Sequence, residues 1–207
     1  MTPQQEPSSA DHVAPRVSAI LPVRITVCGF AELTEQGGGG FSHVLSILDP
    51  GTPVPSEIDA FSAERRQELR FHDVIADAPE MTPPSPKHVG CLLAFGRELA
   101  TNGPGDPHLL IHCHAGFSRS PAAFAVLLAQ AQPSLPAASI AEEVLRVRPT
   151  AWPNLRLIEL GDRMLHRGGD LITAAARIYR DRLAQEPGLA DMLIANGRAR
   201  EVEAARG

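Results

Sequence analysis

Apolar positions along the chain fall into short blocks separated by glycine- and proline-rich turns, and the period changes from block to block. Ile25-Thr26-Val27-Cys28-Gly29-Phe30 and His43-Val44-Leu45-Ser46-Ile47-Leu48 read as strands, the second ended by Asp49-Pro50-Gly51. A third strand is expected at Glu68-Leu69-Arg70-Phe71 and a fourth at Leu109-Leu110-Ile111. Between them Val89, Leu92, Leu93, Gly96 and Leu99 keep helical spacing, which predicts a helix over residues 88 to 100. Gly37 to Gly40 reads as a flexible loop, since no Gly-Lys-Ser/Thr follows to make a nucleotide cradle, and Pro79 to Pro86 reads as a second loop.

Beyond the fourth strand the pattern becomes helical. Pro121 suits a first helical turn, and Ala122 to Ala129 is apolar nearly all round, as a central buried helix would be. Ser139-Ile140-Ala141-Glu142 reads as a capping box opening a helix that must stop before Pro149. Asn154 and Asp170 are expected caps of two later helices. The last twenty residues alternate charge and alanine and are expected to form a loosely packed terminal helix. The alternation over residues 20 to 130 predicts an α/β single domain, a central, mostly parallel sheet of about four to five strands flanked by helices on both faces.

Composition narrows the classes. The chain has 207 residues, 43% apolar and 21% charged, with a net charge of −5, which argues against a nucleic-acid partner. No apolar run reaches the roughly 18 residues of a membrane span, and the polar N-terminus lacks a signal-peptide pattern. Cys28, Cys91 and Cys113 are odd in number and far apart, which fits a reducing, cytoplasmic setting better than a disulfide framework.

The candidate chemistry lies in His112-Cys113-His114-Ala115-Gly116-Phe117-Ser118-Arg119-Ser120, between the fourth strand and the apolar helix. A strand, a tight loop and a helix N-terminus together make an oxyanion cradle, in which backbone N–H groups from His114 to Arg119 point inward. Arg119 offers a planar fork that grips two phosphate oxygens together. The same field favours a reactive thiolate at Cys113. Gly116 permits a backbone geometry that a Cβ would block. No Asp or Glu lies between residues 107 and 141 to oppose an anion locally. A buried structural cysteine would not require Gly and Arg at these offsets. A metal site is not supported, because adjacent residues on an extended chain face opposite ways and no further Cys or His pair completes a ligand set. A phosphate-binding loop without chemistry stays open on these residues alone.

The loop resembles the active site of the cysteine-dependent protein tyrosine phosphatase superfamily, His-Cys-x-x-Gly-x-x-Arg-Ser/Thr. His112, Cys113, Gly116, Arg119 and Ser120 meet its fixed positions, and Ser118-Arg119-Ser120-Pro121 is most similar to the dual-specificity branch. Arg148-Pro149-Thr150-Ala151-Trp152-Pro153-Asn154 is similar to the Arg-Pro…Pro-Asn tract those enzymes carry after the active-site helix. The resemblance covers roughly residues 20 to 166 and implies a dual-specificity phosphatase-like fold. It implies hydrolysis of phosphate monoesters, with phosphotyrosine in proteins first and phosphoserine and phosphothreonine as further targets, through a cysteinyl-phosphate intermediate without metal or other cofactor. Cys113 would be the nucleophile and Arg119 the phosphate fork. His112 beneath the loop would tune the thiolate, Ser120 would donate to its sulfur, and His114 and Phe117 would line the pocket mouth.

A general acid must come from elsewhere in the chain. Phe71-His72-Asp73 looks like the Phe-x-Asp acid loop of some superfamily members, which makes Asp73 the first candidate and Asp77 the alternative. The organisation expected is a disordered segment over 1–16, a phosphatase domain over 17–185 and a helical tail over 186–207. Rival readings are a phosphatase of a small phosphate ester such as an inositol phosphate or nucleotide, and a phosphate-binding module without turnover. A rhodanese-type sulfur-transfer reading leaves Ser120 and the Arg-Pro…Pro-Asn tract without a reason. Phosphoinositide-cleaving relatives carry lysines inside the loop, and this loop has none. Trp152 and Tyr179 read as packing residues. Cys28 and Cys91 read the same way, with a resolving role toward oxidised Cys113 as the alternative.

Overall fold

The computed structural model describes residues 23–37, 40–61, 63, 65–101 and 107–207. The segment expected to be disordered, 1–16, and two glycines of the expected flexible loop, 38–39, lie outside the described residues. Four strands form one sheet: β1 (Arg24–Cys28), β2 (His43–Leu48), β3 (Arg65–Arg70) and β4 (His108–His112), in the order β1-β4-β2-β3. Every pairing is parallel, with Cys28 and Ser46 both in register with His112. β2 and β4 are buried along their whole length, as inner strands of a parallel sheet covered on both faces must be. A parallel sheet gathers the carboxyl ends of its strands on one edge, so the chain leaves β1, β2, β3 and β4 around a common crevice.

The helices are α1 (Pro86–Thr101), α2 (Arg119–Ala131), α3 (Ala137–Val147), α4 (Leu155–Met164), α5 (Asp170–Gln185), α6 (Leu189–Ala195) and α7 (Ala199–Arg206). α2 packs against β1, β4, α1, α3 and α4, which explains why its sequence is apolar nearly all round. Phe124, Val126 and Leu128 are fully buried, each contributing roughly 1.5–3 kcal/mol relative to exposure. The expectation of helices on both faces holds for one face. On the other, Val44 and Leu110 meet Leu33, Phe41, Ile58 and Phe61, carried by loops and short 3₁₀ turns at Phe30–Glu32, Thr34–Gln36 and Ser56–Ala60. Among the described residues the connections on that side form 3₁₀ turns and loops rather than α-helices.

Three local expectations are corrected. The capping box at Ser139 does not form, because the Pro136 carbonyl already accepts from Ile140 N at 3.1 Å and the helix begins at Ala137. Asp170 is the first residue of α5 rather than its cap. Asp162, from α4, instead accepts from the N–H groups of Gly169 (2.8 Å) and Leu171 (2.9 Å). The C-terminal residues are not loosely packed: Leu193 and Val202 are 1% exposed and join the main core.

Candidate active site

Cys113 follows β4 directly and is 2% exposed, at the floor of a loop that runs to Arg119. The loop turns its carbonyls outward, and each one has a donor. The carbonyl of His114 accepts from Phe30 N (2.8 Å), that of Gly116 from Arg148 Nε (3.0 Å) and that of Ala115 from Arg148 Nη2 (3.3 Å). The carbonyl of Phe117 accepts from Trp152 N (2.7 Å), and that of Ser118 from Ala122 N (3.1 Å) and Asn154 N (3.2 Å). In a planar trans peptide the N–H of the next residue points opposite to the carbonyl. The N–H groups of Ala115, Gly116, Phe117, Ser118 and Arg119 therefore face inward, and among the described residues none donates to a protein acceptor. Arg148 is held in turn by Glu32 at 2.6 Å, and Glu32 also accepts from Gly29 N at 2.6 Å.

Gly116 shows why this loop needs glycine. Its φ is +64°, and a Cβ there would stand 2.5 Å from Gly29 N and 2.6 Å from the Cys28 carbonyl carbon, both backbone atoms that cannot swing aside. Gly116→Ala is expected to lower stability by about 1–3 kcal/mol, the scale of strain at such a backbone position. Denaturant unfolding combined with inorganic phosphate binding checks this, and loss of binding should accompany loss of stability.

Arg119 is 3% exposed. Its Nη1 donates to Asp49 Oδ1 at 2.5 Å and to the Phe71 carbonyl at 2.7 Å, while its Nε is buried without a protein partner. The strand ends after β2 and β3 thus pin one prong of the fork and leave Nε for the cradle. Asp49 is 70 residues from Arg119 in sequence, and only the fold brings the two together. Ser120 Oγ lies 3.2 Å from Cys113 Sγ. His114 is exposed, its ring 5.0 Å from that of Phe30, and Phe117 is half-buried.

Of the two acid candidates, the structure brings one to the loop. Phe71 N pairs with the Leu48 carbonyl (3.0 Å), and His72 closes the following loop through its N to the Thr82 carbonyl (2.7 Å) and its Nδ1 from Thr82 N (2.8 Å). This sets Asp73 against the phosphate loop: its Oδ1 accepts from Ser118 Oγ (2.7 Å) and Asn154 Nδ2 (2.8 Å). Asn154 also caps α4, accepting from Leu157 N at 3.0 Å. Asp77 instead points to solvent, its side chain 85% exposed and paired with Arg156 at 2.8 Å.

Sequence inspection missed Asp49, Glu32, the clamp made by Arg148, and Arg198 with Glu201 in the C-terminal segment. Only Arg148 had a signal, as the first residue of the Arg-Pro…Pro-Asn tract. Trp152 and Tyr179 are buried and stacked, ring centroids 4.4 Å apart. Among the described residues no group of three or more His, Cys, Asp and Glu side chains is placed to hold a metal ion.

His112 takes a place different from that expected. Its Nε2 shares a 2.6 Å hydrogen bond with Ser46 Oγ on the neighbouring strand rather than with the Cys113 thiol, because successive residues at the end of β4 face opposite sides of the sheet. Burial lowers its pKa from 6.5 to about 4. Its folded-state pKa lies below the unfolded one, so its contribution to stability is fully present above about pH 6.5. That contribution is lost as pH falls from there toward about 4. Between pH 7 and pH 5 the wild type should lose about 2 kcal/mol more unfolding free energy than His112→Asn, measured by urea titration at the two pH values. Cys28 sits on that same far face, in the smaller hydrophobic cluster, and burial, reinforced by Glu32, pushes its thiol pKa well up. Cys113 belongs to the main cluster.

The sequence matches no protein-family model and no curated protein. The fold does match solved structures. The human tyrosine phosphatase-like serine/threonine/tyrosine-interacting protein superposes with a TM-score of 0.55 at 15% identity, over 75% of this chain and 99% of that one. Human DUSP28 gives 0.53 at 17% identity, over 76% and 98%. PTPMT1, solved in complex with PI(5)P, gives 0.53 at 14% identity, over 73% and 95%. The parallel four-stranded sheet, with the Cys113 loop at its central carboxyl edge, therefore has a fold similar to that of these phosphatase and phosphatase-like structures.

Proposed function

We propose that the chain hydrolyses phosphate monoesters, protein phosphotyrosine first among them, with Cys113 as nucleophile. The observation that carries this reading is the ring of five inward N–H groups, Ala115 to Arg119, closing around Cys113 with the unpartnered Nε of Arg119. Such a set of donors, fixed before the substrate arrives, stabilises the charge spread over the equatorial oxygens in phosphoryl transfer. The Cys113 thiolate attacks phosphorus in line, a P–S bond forms and the P–O bond to the leaving group breaks. Asp73 gives the leaving oxygen a proton. It then takes one from the water that displaces the sulfur, releasing phosphate and the thiolate, toward which Ser120 donates. Asp73 is preferred to Asp77 because only Asp73 touches the loop.

Phosphotyrosine is preferred because a nucleophile only 2% exposed suits a long, rigid ester, and because the loop itself carries two ring side chains, half-buried Phe117 and exposed His114. Phosphoserine and phosphothreonine are the further protein substrates. The likeness to PTPMT1, solved with PI(5)P, favours a second reading as a phosphatase of a phosphoinositide or other small phosphate ester. Against it, the loop interior carries no lysine. No helix among the described residues is long and apolar enough to cross a membrane. The free cysteines suit a reducing compartment, which we take to be the cytoplasm. Turnover of an aryl phosphate with a chelator present, compared between wild type and Cys113→Ser, tests the reading. Phosphotyrosyl peptide, phosphoseryl peptide and phosphoinositide measured side by side then rank the substrates.

A further inference from the structure

The C-terminal segment reaches the centre of the site. Arg198, 7% exposed between α6 and α7, donates through Nη2 to Ser118 Oγ at 2.8 Å, and its Nη1 lies 3.4 Å from Asp73 Oδ2. Its Nε and Nη2 also grip Glu201 at 2.6 and 2.8 Å. Glu201 is fully buried and accepts from Trp152 Nε1 (2.6 Å) and Leu155 N (3.0 Å). Trp152 N and Asn154 N in turn hold the Phe117 and Ser118 carbonyls of the loop. One buried ion pair from the chain's end therefore joins the acid loop, the phosphate loop and the tract between α3 and α4.

From this juxtaposition we infer that Arg198 is a positioning residue for the reaction: it fixes Asp73 and Ser118 relative to one another, so that the C-terminal helices are part of the catalytic apparatus. The inference rests on the assignment of Asp73 as general acid. Ser118 and Asn154 donate to Oδ1 of Asp73 and Arg198 donates to Oδ2, so the carboxyl is held at both oxygens and its orientation depends on Arg198. A guanidinium reaching three acceptors at once sets the spacing between two loops as a lysine could not. Displacement by about 1 Å of a group that must meet a leaving oxygen costs on the order of 10²-fold in rate.

The test compares full-length wild type, Arg198→Met and Arg198→Lys on two substrates, phenyl phosphate, whose leaving group needs a proton, and 2,4-dinitrophenyl phosphate, whose leaving group does not. Arg198→Met should lower kcat on phenyl phosphate by about 10- to 10²-fold, with KM changed less than about threefold and the dinitrophenyl ester nearly unaffected. Arg198→Lys should recover part of the loss on phenyl phosphate. Should Arg198→Met fail to fold because Glu201 is left unpaired, Arg198→Met/Glu201→Gln removes both charges and keeps an acceptor for Trp152 and Leu155. Thermal melting shows which variant is folded. An equal loss on both esters, or no loss in a folded variant, overturns the inference. Asp73→Asn run beside them separates the two levels. If Asp73→Asn shows the leaving-group dependence and the Arg198 variants do not, the inference alone fails; if Asp73→Asn does not show it, the acid assignment fails first.

Discussion

Cys113→Ser is expected to abolish turnover of aryl phosphates while leaving inorganic phosphate binding within about threefold of wild type. The serine oxygen occupies nearly the same place on the loop floor, but at neutral pH it is not ionised and attacks phosphorus poorly. The loss should be on the order of 10⁴-fold or more, the scale seen when one member of a concerted catalytic set is removed. Binding should survive because it belongs to the inward N–H groups of Ala115 to Arg119 and to the fork of Arg119, none of which the substitution alters. Steady-state kinetics at saturating substrate, with phosphate competition measured by calorimetry, separates the two effects. Residual turnover near the wild-type rate would remove Cys113 from the mechanism.

Asp73→Asn is expected to lower kcat on phenyl phosphate by about 10²-fold, the usual contribution of a positioned general acid, and to flatten the limb of the pH–rate profile on which activity falls as pH rises. Asparagine keeps the shape and one acceptor for Ser118 or Asn154, so the fold around Asp73 should persist. The loss should shrink on 2,4-dinitrophenyl phosphate. Asp77→Asn serves as the control: its exposed pair with Arg156 is of the kind that contributes about 0–1 kcal/mol, and activity should be unchanged. A silent Asp73→Asn with a strong effect from Asp77→Asn would move the acid to residue 77.

Much of this site was legible before any coordinates, and the division follows the range of the interactions. The strand–loop–helix around Cys113 is encoded locally: a buried strand, a glycine where φ must be positive, and Pro121 at the start of a helix leave little choice of backbone. Asn154 as a cap was legible for the same reason. Arg119 could be recognised as the fork, but not the partner that holds it. Asp49 and the Phe71 carbonyl come from two other strand ends, and only the parallel order β1-β4-β2-β3 brings them together. His112 shows the converse limit, since the resemblance put it beneath the loop to tune the thiolate while the alternation of the strand turned its ring to Ser46. The C-terminal segment was the largest misreading. Its alternating alanine and charge suggested a loosely packed terminal helix, yet Arg198 and Glu201 are nearly or fully buried because each is the other's partner.

Trapping the intermediate tests the central claim most directly. Wild-type protein mixed with phosphorus-32-labelled aryl phosphate and quenched within the first turnovers should carry label, and peptide mapping should place it on the peptide containing Cys113. The labelled species should form and decay at rates that account for steady-state turnover, and Cys113→Ser should show none. Turnover at full rate with no labelled protein, or label on a residue other than Cys113, would contradict the mechanism.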